Sequence, residues 1–315
     1  KCNVMPANNS YDITLYECGH HDDEGTYNTF RSFVAGSGCR LGTWAWNTCE
    51  MEIDQLAQMN YNPEIIRQVY QTARNYDSVM QPSYWSEMDS YHVLNVFSLY
   101  CAGQLLINPD TDTEQLTYEI AEAAVGQEYA QALAQMLYII QDARSGASWD
   151  TYLWRDENYI LKSDAYPAED ILSRCNKYIP VLDEMIEKGI EANTLPLPIR
   201  LNQLLQMMRP HLVQIREFAE FRIALDEVRE AYENGVDPES LIAMVKEISE
   251  PIKDYNVVIG AWGQIEARAQ REMIAAFCEE AGLELPVNPI MDENHKRYIY
   301  GQFVVYQKGK KEPVY

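Results

Sequence analysis

From residue 62 onward, apolar residues recur every three or four positions, the period of a helix with one buried face. Pro63 suits a first helical position, and Ile65, Ile66, Val69, Tyr70 and Ala73 follow it along one face. A second helix is predicted over residues 86–107. Its inward stripe is Leu94, Phe97, Ser98, Cys101 and Leu105, and Asn108-Pro109-Asp110 stops it. Helices over 113–125 and 127–144 follow as a hairpin pair parted at Gly126. Residues 145–166 are aromatic and polar and read as a long functional loop. Three long helices are predicted after it, over 167–190, 197–234 and 237–282, with Leu201, Leu204, Leu205, Met208, Leu212 and Ile215 as core. Pro180, Pro210 and Pro251 fall inside them and are expected to kink or break each one, at about 3 kcal/mol where a helix interior is interrupted.

The first sixty residues follow another rhythm. Alternation over 10–17 and 40–46 predicts two short strands, with a short helix over 27–36 closed by Gly36 between them. That order is an α/β unit with functional loops after its strands. Residues 293–306 alternate again, as a terminal strand or hairpin, and a solvated tail ends the chain. The expected fold is therefore mainly α: a small α/β portion over 1–62, a helical bundle over 63–290, and a strand and tail over 291–315.

Composition narrows the partners. The 315 residues carry 48 acidic and 25 basic side chains, a net charge of -23. Such a field repels nucleic acid and anionic membrane surfaces, so neither is expected as a partner. No apolar run approaches the roughly 20 residues of a membrane span. The seven cysteines contain no CxxC pair and no zinc-ligand spacing. Cys101, Cys175 and Cys278 fall on predicted helices as small buried hydrophobes. The thiols are read as reduced, which favours a reducing cytoplasm over secretion, with a bridge among Cys18, Cys39 and Cys49 as the alternative.

The candidate chemistry lies mostly in the first hundred residues. In GTWAWNTCEMEID, Trp44 and Trp46 are two apart, so on a strand they share a face. Indole rings stack on pyranose faces, and Asn47, Glu50, Glu52 and Asp54 follow at once; the alternative is two core tryptophans under a helix. Glu17, His20, His21, Asp22, Asp23 and Glu24 form a polar loop that reads as substrate contacts or a solvated surface. Adjacent histidines converge poorly on one ion, and calcium-loop spacing is absent, so no metal is expected. At Tyr84–His92, Ser86 and Asp89 fit a helix cap, which leaves Trp85, Glu87 and His92 to line a cleft. There is no GxSxG, phosphate loop or dinucleotide fingerprint, so no cofactor is expected. Carboxylates with aromatics suit glycoside hydrolysis.

One stretch carries a family likeness. A helix ending Leu105-Leu106-Ile107-Asn108-Pro109-Asp110-Thr111-Asp112, then a Glu-rich helix and the turn Gly126-Gln127-Glu128-Tyr129-Ala130, resembles the helical region after the catalytic barrel in bacterial glycoside hydrolases of the family 20, 67 and 84 type. Thr43-Trp44-Ala45-Trp46-Asn47 resembles one of their late barrel strands, where an aromatic closes the sugar pocket. The likeness covers about residues 10–145 and implies part of a (β/α)₈ barrel, with substrate at the carboxyl ends of its strands. Two candidate strands cannot make eight. The chain would then be the C-terminal part of a longer enzyme, or the likeness would be confined to the helical module. No catalytic acid carries over; Trp44, Trp46 and Asn47 carry over as pocket residues.

The expected function is recognition and hydrolysis of a glycosidic substrate. Glu17 and Glu50 are the acid/base candidates, and Trp44, Trp46, Asn47, His20, Trp85, Glu87 and His92 the substrate contacts. A carboxyl separation of about 5 Å would give retention and about 6.5–9.5 Å inversion. The alternative is a non-catalytic interaction scaffold, or a homo-oligomer joined through the long helices.

Overall fold

The computed structural model describes residues 12–16, 40–44, 61, 63, 64, 66, 67, 70, 71, 96–144, 168–252, 270 and 273–284, the first two ranges as backbone alone. Strand β1 (Asp12–Tyr16) and strand β2 (Arg40–Trp44) pair in parallel, from Asp12 opposite Arg40 to Tyr16 opposite Trp44. No third strand stands among the described residues, and no part of a barrel is visible there. Past residue 61 the described elements are helices, as the mainly α expectation has it.

Helix α1 (Val96–Ile107) buries Phe97, Ser98, Cys101 and Leu105, as its apolar spacing requires. It stops where Asn108 accepts the backbone N–H of Asp110 on its side chain and that of Thr111 on its carbonyl. Helix α2 (Thr113–Val125) starts at Asp112, whose carboxylate accepts the Gln115 N–H at 2.7 Å. Its end is Gly126, at φ 76°, a conformation that costs a side chain but not glycine. Its last carbonyls are also satisfied from a distance. Thr194 and Leu195 donate backbone N–H groups to Ala123, and Asn193 to Ala124, at 2.8–3.0 Å. Helix α3 (Ala130–Arg144) begins three residues later than the pattern suggested, because 127–129 form a turn.

Helix α4 (Ala168–Lys188) buries Ile171, Cys175, Ile179, Leu182 and Met185 at spacings of four and three. Helix α5 (Leu201–Glu233) buries Leu201, Leu204, Leu205, Met208, Leu212 and Ile215, and continues its stripe through Phe218, Phe221, Leu225 and Val228. Of the expected kinks or breaks, no break occurs at Pro180 or Pro210: both helices run through their proline. Proline removes one backbone donor, and the buried residues on either side hold the helix together. At Pro251 the break does occur, since helix α6 (Pro238–Ser249) ends just before it. Between α5 and α6, Gly235 sits at φ 76° and Val236 donates its N–H to Ala231, a left-handed cap that reverses the chain.

Contacts divide the described chain into two compact units. The first holds the strands, α1, α2, the start of α3 to Ala134 and residues 191–201. Tyr61 is fully buried in it and shares a 2.7 Å hydrogen bond with the Thr117 hydroxyl of α2. The second holds the rest of α3, α4, α5 from Asn202, α6 and residues 273–284. One of its cores joins Phe218, Phe221, Leu225 and Val228 of α5 to Leu241 and Val245 of α6 and to Met273, Ile274, Phe277 and Cys278. Burial pushes the thiols of Cys101 and Cys175 up to about 12, so these side chains behave as hydrophobes. No helix among the described residues is long and apolar enough to cross a membrane.

Candidate functional site

The second unit contains a groove where α5 and α6 diverge above their shared core. It encloses a cavity of about 450 Å³. Along α5 the lining residues Gln214, Phe218, Phe221, Ala224 and Val228 recur at intervals of three and four, one stripe of a helix. Met244 and Ile248 of α6, one turn apart, face the groove from the other wall, with Ile252 beyond the helix end. Phe218 and Phe221 belong to the core below as well, so the apolar floor is the upper surface of a packed interior and not a loose patch. Their rings lie 5.9 Å apart at a tilt of 55°.

Charge around this floor has one sign. Glu217, Glu220, Glu227 and Glu247 line the groove, and no lysine or arginine does so among the described residues. Glu220 lies 3.7 Å from Arg216 on the next turn, a pair loose enough to leave its field largely intact. Glu227 and Glu247 are exposed and form no ion pair among the described residues.

Gln214 is the unusual member. It is 1% exposed, lines the cavity, and neither its Oε1 nor its Nε2 has a hydrogen-bond partner among the described residues. Burying a carboxamide with both ends unpaired costs free energy that ordinary folding avoids, so such a group wants a donor and an acceptor brought to it. Two turns along α5, Arg222 is 2% exposed; Asp226 lies 3.2 Å from its Nη2, while Nη1 has no partner. Burial lowers the pKa of this guanidinium, Asp226 offsetting part of the effect and Arg229 adding to it. The described lining includes no serine, threonine, cysteine, histidine or lysine, so the groove offers binding chemistry and no nucleophile. Among the described residues no group of three histidine, cysteine, aspartate or glutamate side chains could hold a metal ion.

The residues singled out from sequence are not among the described lining of the groove. Trp44 ends β2, its backbone opposite Tyr16, and its side chain lies outside the described atoms. Glu17 follows β1 directly but lies outside the described residues, as do His20, Trp46, Asn47, Glu50, Trp85, Glu87 and His92. The groove itself was missed. Its signal was present: His211, Gln214 and Arg222 interrupt the apolar face of α5 at helical spacing, with Glu217, Glu220 and Glu227 on the same helix. Compared with known protein families, curated proteins and solved structures, the chain matches none.

Proposed function

We propose that this chain is a helical binding protein that holds a partner in the groove between α5 and α6. The observation that carries this reading is the unpaired Gln214 carboxamide in the wall of an apolar-floored cavity. A polar group kept buried without a partner loses stability, and an incoming ligand that pairs with it recovers that loss as affinity. The test is a neutral solvatochromic dye, Nile red, added to the full chain and to Ala224→Trp, which fills the groove from a half-buried position. Emission that rises with the parent and not with the variant, at equal helicity, supports the reading. Equal emission from both, or none from either, overturns it.

Glycoside recognition is the second reading, favoured by one backbone observation. Parallel pairing of β1 with β2 brings both carboxyl ends to one edge, where α/β sheets bind ligands. The chain leaves β1 into Glu17 and β2 into Ala45-Trp46-Asn47. Glu17 and Glu50 are then the acid/base pair, and a longer chain would supply the remaining barrel strands. Thermal denaturation against monosaccharides and aryl glycosides tests it. A midpoint shift that Trp44→Ala/Trp46→Ala loses supports sugar binding, and no shift with any ligand removes it.

A further inference from the structure

We propose that the occupant of the α5–α6 groove is a cationic amphipathic helix of a partner protein; this rests on the groove being a binding site. Three features of the site narrow the occupant in turn.

The first is charge. Glu217, Glu220, Glu227 and Glu247 surround the floor with no lysine or arginine among the described lining residues, on a chain of net charge -23. An acidic or phosphate-bearing ligand would meet like charge from both α5 and α6, whereas a lysine- or arginine-flanked one would be steered in.

The second is shape. The α5 lining runs from Gln214 to Val228, which at 1.5 Å per residue is about 21 Å of helix. The described lining is thus elongated along α5, with Met244 and Ile248 of α6 on another wall. An amphipathic helix lays an i, i+3, i+4, i+7 stripe into such a groove, here against Phe218, Phe221 and Met244. Its flanking cations would then stand over the carboxylates on the two walls.

The third is Gln214, whose amide asks for both a donor and an acceptor; its two polar atoms are covered, so the side chain must turn toward the groove to meet them. The backbone of a bound helix is occupied with its own hydrogen bonds, so a side chain must answer. A carboxamide or hydroxyl on the buried stripe of the partner does so, and a purely aliphatic stripe leaves Gln214 as it is.

The experiment measures binding of the full chain to fluorescent helical peptides of about four turns. One carries a leucine stripe with a single asparagine, flanked by lysines. A second replaces the lysines by glutamates, and a third replaces the asparagine by leucine. The lysine peptide is expected to bind at least tenfold more tightly than its glutamate counterpart. Glu227→Gln and Glu247→Gln are each expected to weaken it about two- to fivefold and to flatten its salt dependence. Gln214→Leu should weaken the asparagine peptide and spare the leucine one, a swap that a merely structural glutamine would not produce. Ala224→Trp should abolish binding; Ala224→Gln gives a milder block should the larger residue disturb folding.

Equal binding of the lysine and glutamate peptides overturns the proposal. So does failure of every peptide while Nile red still distinguishes parent from Ala224→Trp, a result that leaves the groove a binding site for something else. If the dye fails as well, the binding-site reading falls with it. A concentration-dependent dimer that Ala224→Trp converts to monomer would seat a second copy of the chain there, and would also overturn the partner named here.

Discussion

Two buried polar side chains, Thr117 in the first unit and Gln214 in the α5–α6 region of the second, are treated in opposite ways. In the first, the Thr117 hydroxyl is buried and fully engaged: it donates to the Thr113 carbonyl at 2.7 Å and meets the Tyr61 hydroxyl at the same distance. The carbonyls at the end of α2 find partners in residues 193–195. In the second, Gln214 is equally buried and has no hydrogen-bond partner among the described residues, nor does one nitrogen of Arg222. A core built only for stability has no use for such orphans. On the proposed reading, Thr117 is satisfied by folding and Gln214 by a bound partner.

The largest test of that contrast is removal of a ring from each side. Phe97 is 0% exposed in the first unit, so Phe97→Ala should destabilise by about 3–5 kcal/mol in denaturant unfolding. Phe221 faces both core and cavity, and its removal enlarges space that already exists. Phe221→Ala should therefore cost clearly less than Phe97→Ala. Equal losses would mean that the groove is as tightly closed as the core.

The next test reverses a sign. Thr117→Val deletes an engaged buried hydroxyl and should cost about 1 kcal/mol. Gln214→Leu deletes an unpaired carboxamide and should raise stability by about 1–2 kcal/mol, while it weakens binding. A destabilised Gln214→Leu would show that the amide supports the fold.

The sequence disclosed these two regions unequally. Both ends of α2 were legible because their causes are local: Asp112 caps one end and Gly126 the other, and the predicted bounds 113–125 are those observed. The prolines were half legible. A proline reports what a helix loses, but whether flanking packing repairs the loss, as at Pro180 and Pro210, depends on chain brought from elsewhere. Gln214 was least legible. In Leu212-Val213-Gln214-Ile215 a glutamine reads as a solvated position until α6 is known to lie beside it. Of the aromatic and acidic residues favoured from sequence, Trp44 is described as backbone alone and the others lie outside the described residues.

A pH series sharpens the same contrast at smaller scale. Asp142 of α3 is buried and ion-paired to Arg174 of α4, Nη1 to Oδ2 at 2.6 Å. Burial raises its pKa above the ordinary carboxylate value, and Arg174 offsets only part of that rise. Between its unfolded and folded values, such a group holds more protons when folded. Its contribution to stability is therefore full below the unfolded value and falls as pH rises through the folded one. Asn cannot titrate. Asp142→Asn should thus gain on the parent as pH rises from about 3 toward neutrality. A relative stability that moved the other way would mean that the ion pair outweighs burial.

The smallest test concerns exposed carboxylates. Glu64 in the first unit forms a two-point pair with Arg67, whose pKa it raises. Glu64→Gln discards that attraction and should cost a few tenths of a kcal/mol. Glu227 and Glu247 have no cation among the described residues to lose and stand in a groove lined by like charges. Their change to glutamine should leave stability within about 0.5 kcal/mol and tilt it upward, because repulsion is relieved. Salt separates the cause from chance: at about 1 M the screening length shrinks to roughly 3 Å, and both effects should fade together. If Glu227→Gln or Glu247→Gln instead destabilised the chain at low salt, these glutamates would serve the fold. A groove whose acidic wall is needed for folding would no longer imply a cation from outside.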